Sequence, residues 1–279
     1  MFLAHGPPLA EPAMWYLQWS FEPLVWFAAA GAVWWYVRAA RRVAGWSPWR
    51  RRSYLAGVGV AGFALAGPPA AFDTTLFWVH MAQHLLLVMV AAPLILLGAP
   101  VTLALRTNPR GRLRSLVGAR PIRAVGHPVV AWASLAAVMV VTHFSVIYDA
   151  ALENEVVHIG EHTLYVSAAL LFWWPVVGLD PGSHRLAWPL RAVYIALTMP
   201  LQAFIGLALY SSDRVLYQHY ATLQRTWGPT PLEDQQLAGV VMWVGGELVA
   251  VAALAAVIVA WMGHEERLAA KEDRRLGLT

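Results

Sequence analysis

Seven apolar stretches, at roughly 22–38, 54–71, 76–97, 127–147, 155–178, 190–210 and 236–262, dominate the chain. Crossing the hydrocarbon of a bilayer takes about 20 apolar residues of helix, and these stretches reach that length. They lack the apolar/polar alternation of a membrane β-barrel, and a helix satisfies its own backbone groups in lipid. The reading is therefore all-α: a polytopic membrane helix bundle of about seven transmembrane helices. Composition agrees, since 59% of residues are hydrophobic and 13% are charged, whereas about a quarter are charged in a soluble domain. Seven spans with short loops use up the 279 residues, so a single membrane domain covers 1–279.

Charge placement orients the bundle. All but Arg214 and Arg225 of the 20 basic residues fall on one side of the predicted spans, with runs at Arg38–Arg52, Arg106–Arg123 and Arg267–Arg275. Basic loops stay in the cytoplasm, which puts the N-terminus outside and the C-terminus inside. Those runs border the spans, where they meet anionic headgroups of the lipid bilayer, so the basic balance implies no nucleic-acid partner. Glu11, Glu22, Asp73, Asp149, Glu155, Glu161 and Asp234 lie on the opposite side, making an outer mouth that attracts cations. The first residues lack a basic region followed by an apolar core, so they read as an interfacial lead-in and not as a cleaved signal peptide. Trp15, Trp19, Trp34, Trp35, Trp173 and Trp174 read as interfacial belt residues, and Pro93, Pro175 and Pro200 as kinks or ends of spans.

Cysteine is absent, which removes disulfides, thiolate metal sites and iron–sulfur clusters. Histidine takes their place. His80 and His84 open the third stretch and His158 and His162 the fifth, each pair one turn apart on one helix face. His143 closes the fourth stretch. In the predicted orientation all five imidazoles lie within about 12 Å of the outer surface. Neutral imidazole ligates copper, zinc and iron, and an i, i+4 pair offers two nitrogens to one ion. A single histidine near a helix end is ordinarily a residue reaching for headgroups or loop carbonyls; five that converge from three segments point to a metal. His5 and His219 read as outer loop residues, and His127, His184 and His264 fall on the cytoplasmic side.

Acidic and thioether groups surround this constellation. Glu161, between the members of the second pair, reads as a ligand, a partner that orients an imidazole, or a solvated charge at a helix start. Asp149 and Asp73 carry the same alternatives. In the last stretch Met242 sits roughly 9 Å and Glu247 roughly 16 Å below the outer start of the helix. A thioether suits Cu(I), and a carboxylate in hydrocarbon implies a proton or cation function, with Gly245 and Gly246 allowing close helix approach there.

These residues fall in a recognisable pattern. HMAQHLLL from His80, APLILLGAP from Ala92, YDAAL from Tyr148 after His143, HIGEH from His158 with LFWWP from Leu171, and PLEDQQLAGVVMW from Pro231 follow in order. On them the chain resembles, over nearly its whole length, the bacterial CtaG-type family of cytochrome c oxidase assembly proteins associated with caa3-type oxidases. The resemblance implies a seven-helix protein of the bacterial cytoplasmic membrane, without catalytic activity, that handles copper for the oxidase binuclear centre. It implies His80, His84, His143, His158 and His162 as metal ligands, with Met242 and Asp234 as motif members. Ser145 and Gly245 depart from the pattern, which has proline at both places. The single-span oxidase copper chaperone that has shared the family's name uses cysteines, and this chain has none.

The function expected is copper binding at the outer histidines and transfer by ligand exchange to the catalytic subunit of cytochrome c oxidase, or to another copper-accepting membrane or periplasmic protein. Imidazoles suit Cu(II), and a swing toward Met242 would suit Cu(I). Ligands must be deprotonated, so occupancy is expected to fall below about pH 6. Two other classes use the same residues: a haem-binding membrane electron carrier with bis-histidine ligation, and a zinc-dependent membrane hydrolase with Asp149 or Glu161 beside the metal.

Overall fold

The computed structural model describes residues 18–20, 22–109, 111–145, 147–182 and 184–276. His5, Glu11, Trp15 and the rest of the N-terminal lead-in, together with Arg110, lie outside the described residues. Among the described residues every regular element is helical. In chain order these are α1 (Pro23–Arg42), α2 (Pro48–Ala66), α3 (Pro68–Phe72), α4 (Phe77–Leu85), α5 (Ala92–Leu97), α6 (Pro100–Thr107), α7 (Leu113–Val117) and α8 (Arg120–Val125). Then follow α9 (Pro128–His143), α10 (Ile147–Glu153), α11 (Glu155–Val177), α12 (Trp188–Ala196), α13 (Thr198–Tyr210), α14 (Gln218–Thr222), α15 (Pro231–Val240) and α16 (Gly246–Leu276). Pro23, Pro48, Pro100, Pro128 and Pro231 each open a helix, where the missing N–H is no loss and the fixed φ suits the first turn.

Among the described residues four helical segments are long and apolar enough to cross a membrane: Pro48–Phe72, Phe77–Thr107, Trp188–Tyr210 and Pro231–Leu276. A fifth results if α9 and α10, bent by 72° against each other, form one broken span. The helices α1 and α11, with 20 and 23 residues, have the length of a span but more polar sequences. Arg38, Arg41 and Arg42 end the first, and Glu155, His158, Glu161 and His162 crowd the start of the second. The last segment, Pro231–Leu276, has 46 residues, about 69 Å of helix. It outruns a bilayer of about 30 Å, and its polar end from His264 to Arg275 continues as an exposed rod.

Proline shapes the third stretch differently from a simple kink. The ring of Pro93 would collide with the carbonyl of Met89 in a regular helix; instead the chain widens into a π-helical turn, Leu86–Ala91, and resumes as α5. One carbonyl of that turn, Val88, accepts the indole N–H of Trp173 at 2.8 Å. Trp173 is thus buried and bonded across helices, a correction to its reading as a belt residue. A second π-helical turn, Val241–Gly245, joins α15 to α16.

Helices meet closely where glycine allows it. At the α13–α15 crossing a Cβ on Gly239 would lie 2.5 Å from the carbonyl oxygen of Gly206, so the two backbones touch without side chains between them. This draws the α15 end of the last segment, and with it Met242, against α4 and α13 in the main core.

Candidate metal centre

Two facing helices build the site. His80, Gln83 and His84 project from α4, and His158, Glu161 and His162 from α11. The imidazole centroids of His80 and His84 lie 4.3 Å apart, as do those of His158 and His162. Across the gap, His80 is 5.7 Å from His158 and 6.1 Å from His162, and His84 is 5.6 Å from His162. The helical spacing seen in the sequence therefore does bring both pairs to one place. Asp73, from the turn before α4, completes the ring of donors, with its Oδ2 3.7 Å from His158 Nε2. Glu161 Oε2 stands 3.8 Å from His80 Nε2.

Among the described residues three donor triads result: His80, His84 and His162; Asp73, His158 and His162; and His80, His158 and Glu161, each with its ligand atoms within 4.8 Å of one another. At about 2.0–2.1 Å per metal–nitrogen bond, two ligands on one ion lie at most about 4.2 Å apart. Small side-chain shifts close any of the triads on an ion. The chemistry of the donors fits as well. Both nitrogens of His80, both of His84 and both carboxylate oxygens of Glu161 are buried without a hydrogen-bond partner among the described residues. Each orphaned group of this kind costs about 1–3 kcal/mol, and a cation bound among them satisfies several at once.

Gln83 orients the cluster, a role its sequence position did not disclose. Its amide nitrogen donates to the Ala64 carbonyl at 2.9 Å and to Asp73 Oδ2 at 3.1 Å, which leaves Oε1 to accept from His162 Nε2 at 3.1 Å. That bond fixes the orientation of the His162 ring, the way a neighbouring group prepares an imidazole to ligate. The available signal was a lone amide in an otherwise apolar stretch, one helical turn from His80 and next to His84.

A lid of aromatic and polar groups covers His80. Phe77 packs against Tyr148, Tyr217 and Tyr220, and the Tyr148 ring lies 5.2 Å from that of His80. The short helix α14 is tied down beside it. Tyr220 donates its hydroxyl proton to the Asp73 carbonyl, the His219 ring bonds the Thr74 carbonyl at 2.8 Å, and the His219 backbone N–H reaches Asp149 at 3.2 Å.

The remaining residues singled out in the sequence are elsewhere. Asp149 holds the lid through that bond. Asp234 accepts from the backbone N–H groups of Phe77 and Trp78, both at 3.1 Å, and pairs with Arg225 at 3.1 Å. It thereby anchors the start of α4 and positions His80 from behind. Glu247 accepts the Trp243 indole proton at 2.9 Å. His143 belongs to none of the three triads; it and Met242 line a separate cavity on the far side of His84. His127 and His184 lie 5.2 Å from each other, and His264 lies against Trp188.

Asp73 is buried, not solvated. Burial raises its carboxyl to about 7; hydrogen bonds from Gln83 and the Thr74 backbone pull it down, and the charge of Glu22 pushes it up again. An unfolded chain titrates this group near 3.8. Between about pH 4 and 7 the folded protein therefore holds a proton that the unfolded chain has released, and stability falls as pH rises. The contribution is full below about 4 and gone above about 7. The difference in unfolding midpoint between metal-free wild type and metal-free Asp73→Asn is thus expected to decline as pH rises across this window. A wild-type-minus-variant difference that rises over the same range would refute this account of Asp73.

Long apolar helices around a buried imidazole–carboxylate cluster define a multi-pass helical membrane protein with a candidate transition-metal centre. The chain belongs to the cytochrome c oxidase caa3 assembly factor family, whose pattern it matches over residues 31–264. It is 30% identical over 273 residues to an uncharacterized protein of Mycobacterium bovis and, to the same degree, to one of Mycobacterium tuberculosis. A Mycobacterium leprae protein is 27% identical over 276 residues. These alignments take in 92%, 92% and 94% of this chain but 41%, 41% and 42% of the relatives. The chain thus spans about two fifths of the length of the curated relatives it matches. No solved structure matches it.

Proposed function

We propose that the chain crosses a bacterial cytoplasmic membrane seven times, N-terminus outside and C-terminus in the cytoplasm, and that its imidazole–carboxylate cluster binds copper on the outer side for delivery to cytochrome c oxidase. The observation that carries this reading is the set of buried, unpartnered nitrogens on His80 and His84 beside the unpartnered carboxylate of Glu161. Family membership supports a role in oxidase assembly. The one-sided distribution of Arg and Lys supports the orientation.

Delivery needs an ion that is held but not locked. His80 and His162 each belong to two triads. An ion on His80, His84 and His162 reaches Asp73 and His158 by exchanging one ligand at a time while His162 stays bound. The acceptor is the oxidase catalytic subunit or another copper-accepting membrane or periplasmic protein, which takes the ion by continuing the same exchange. Histidine rings 4.3 to 6.1 Å apart favour an ion over a haem macrocycle between them. A role in metal handling requires no catalytic turnover.

Elemental analysis of the purified full chain tests the assignment. Copper is expected at near one equivalent or more per chain, and His80→Ala with His84→Ala is expected to remove most of it. Unchanged copper content in that double variant would make the assignment wrong. Tightly bound zinc with hydrolytic turnover would move the protein to the metal-dependent hydrolases.

A further inference from the structure

On the side of His84 away from the carboxylates lies a second, smaller cavity of about 50 Å³. Four of the chain's 8 methionines line it. They arrive from four segments: Met81 from α4, Met89 from the first π-helical turn, Met139 from α9 and Met242 from the second π-helical turn. All four are buried. A cavity of about 10–15 Å³ is enough for one water, so this space has room for an ion.

His143 shows what kind of ligand the cavity is built for. Its Nδ1 lies 2.7 Å from the Met139 carbonyl oxygen, which only accepts, so the ring proton sits on Nδ1. Nε2 is then a bare lone pair, and 3.5 Å in front of it is the Met81 sulfur, itself an acceptor. The other tautomer would set the Nδ1 lone pair against the carbonyl at the shorter distance. Either way two lone pairs face each other in a buried place, an arrangement that a cation relieves. An imidazolium would relieve it too, but it would be a buried charge in a cavity whose lining includes no carboxylate.

We propose that this cavity is a soft-metal site that takes Cu(I), held by His143 Nε2 and by thioethers of Met81, Met139 and Met242, with Met89 within reach. Thioethers select Cu(I), and an all-neutral donor set suits a single positive charge. His84 separates this site from the imidazole–carboxylate cluster, whose carboxylates suit a divalent ion. The proposal goes beyond the preceding reading and does not depend on it.

Silver(I), a redox-silent stand-in for Cu(I), is the probe. Full-length protein in detergent is loaded with Ag(I) and its ligands are read by X-ray absorption, with affinity measured by competition titration. Wild type is expected to show sulfur neighbours. The double variant Met81→Leu, Met242→Leu, close in volume and so well tolerated in a core, is expected to lose them and to bind Ag(I) roughly 10–100-fold more weakly, with divalent copper content unchanged. His80→Ala with His158→Ala is expected to do the reverse, abolishing divalent copper and leaving Ag(I) in place. Ag(I) bound only to nitrogen and oxygen, affinity indifferent to the leucines, or Ag(I) lost with His80 and His158 would each overturn the proposal and return the methionines to core filling. Wild-type protein that binds Ag(I) through sulfur but no divalent copper would sink the cluster reading alone.

Discussion

Saturating copper, at about a thousand times its Kd, is expected to stabilise the folded protein by about 4 kcal/mol, and Glu161→Leu is expected to reduce that gain while leaving the metal-free protein no less stable than wild type. The second half is the diagnostic one. Glu161 is 4% exposed, and neither of its oxygens has a hydrogen-bond partner among the described residues. Its nearest counter-group is His80 Nε2 at 3.8 Å, which is equally unpartnered. A buried polar group in that position costs the metal-free fold about 1–3 kcal/mol, and replacing such groups by well-packed apolar ones is often neutral or stabilising. A structural carboxylate would behave oppositely. Chemical or thermal unfolding with and without copper decides it: a loss of several kcal/mol in metal-free Glu161→Leu would show that the side chain supports the fold rather than an ion.

The second large effect is expected at Asp234, where alanine should cost about 3–5 kcal/mol and lower metal occupancy with it. This carboxylate is fully buried and does three jobs: it accepts from the Phe77 and Trp78 N–H groups and pairs with Arg225, whose side chain is itself 3% exposed. Removing it orphans a buried guanidinium and two N–H groups at the start of α4, one turn before His80. Asp234→Asn keeps one acceptor oxygen but no charge, and is expected to cost less, about 1–3 kcal/mol. Unfolding free energy and copper content measured on the same preparations check both variants. Normal stability in Asp234→Ala with copper lost would assign Asp234 to the metal instead of to the anchoring of α4.

Histidine spacing was the most legible part of the site. An i, i+4 pair has one meaning on a helix, so His80 with His84 and His158 with His162 declared their shared faces before any packing was known. That all five histidines lie near predicted span ends could be read from the sequence as well. Which cavity each one enters could not. His143 and Met242 belong to the same end of the bundle as the pairs but line the second cavity. Asp73 and Gln83 were underrated as well. A loop carboxylate and a lone amide become a coupled pair only when α14 closes over the turn and the Ala64 carbonyl comes within reach.

The sequence by itself determined that the chain is a helical membrane bundle, which of its histidines share a face, and that sulfur could enter only as thioether. These properties are local or compositional: apolar length, a 3.6-residue period and the absence of cysteine need no knowledge of neighbours. Tertiary structure alone decided that Glu161 and Asp73 are buried beside the imidazoles, that Asp234 braces α4, and that four methionines converge beyond His84. Those outcomes depend on contacts between residues far apart in the chain, and on π-helical turns and glycine crossings that rotate one helix face toward another. Burial and partnership belong to the packed bundle, and no single segment encodes them.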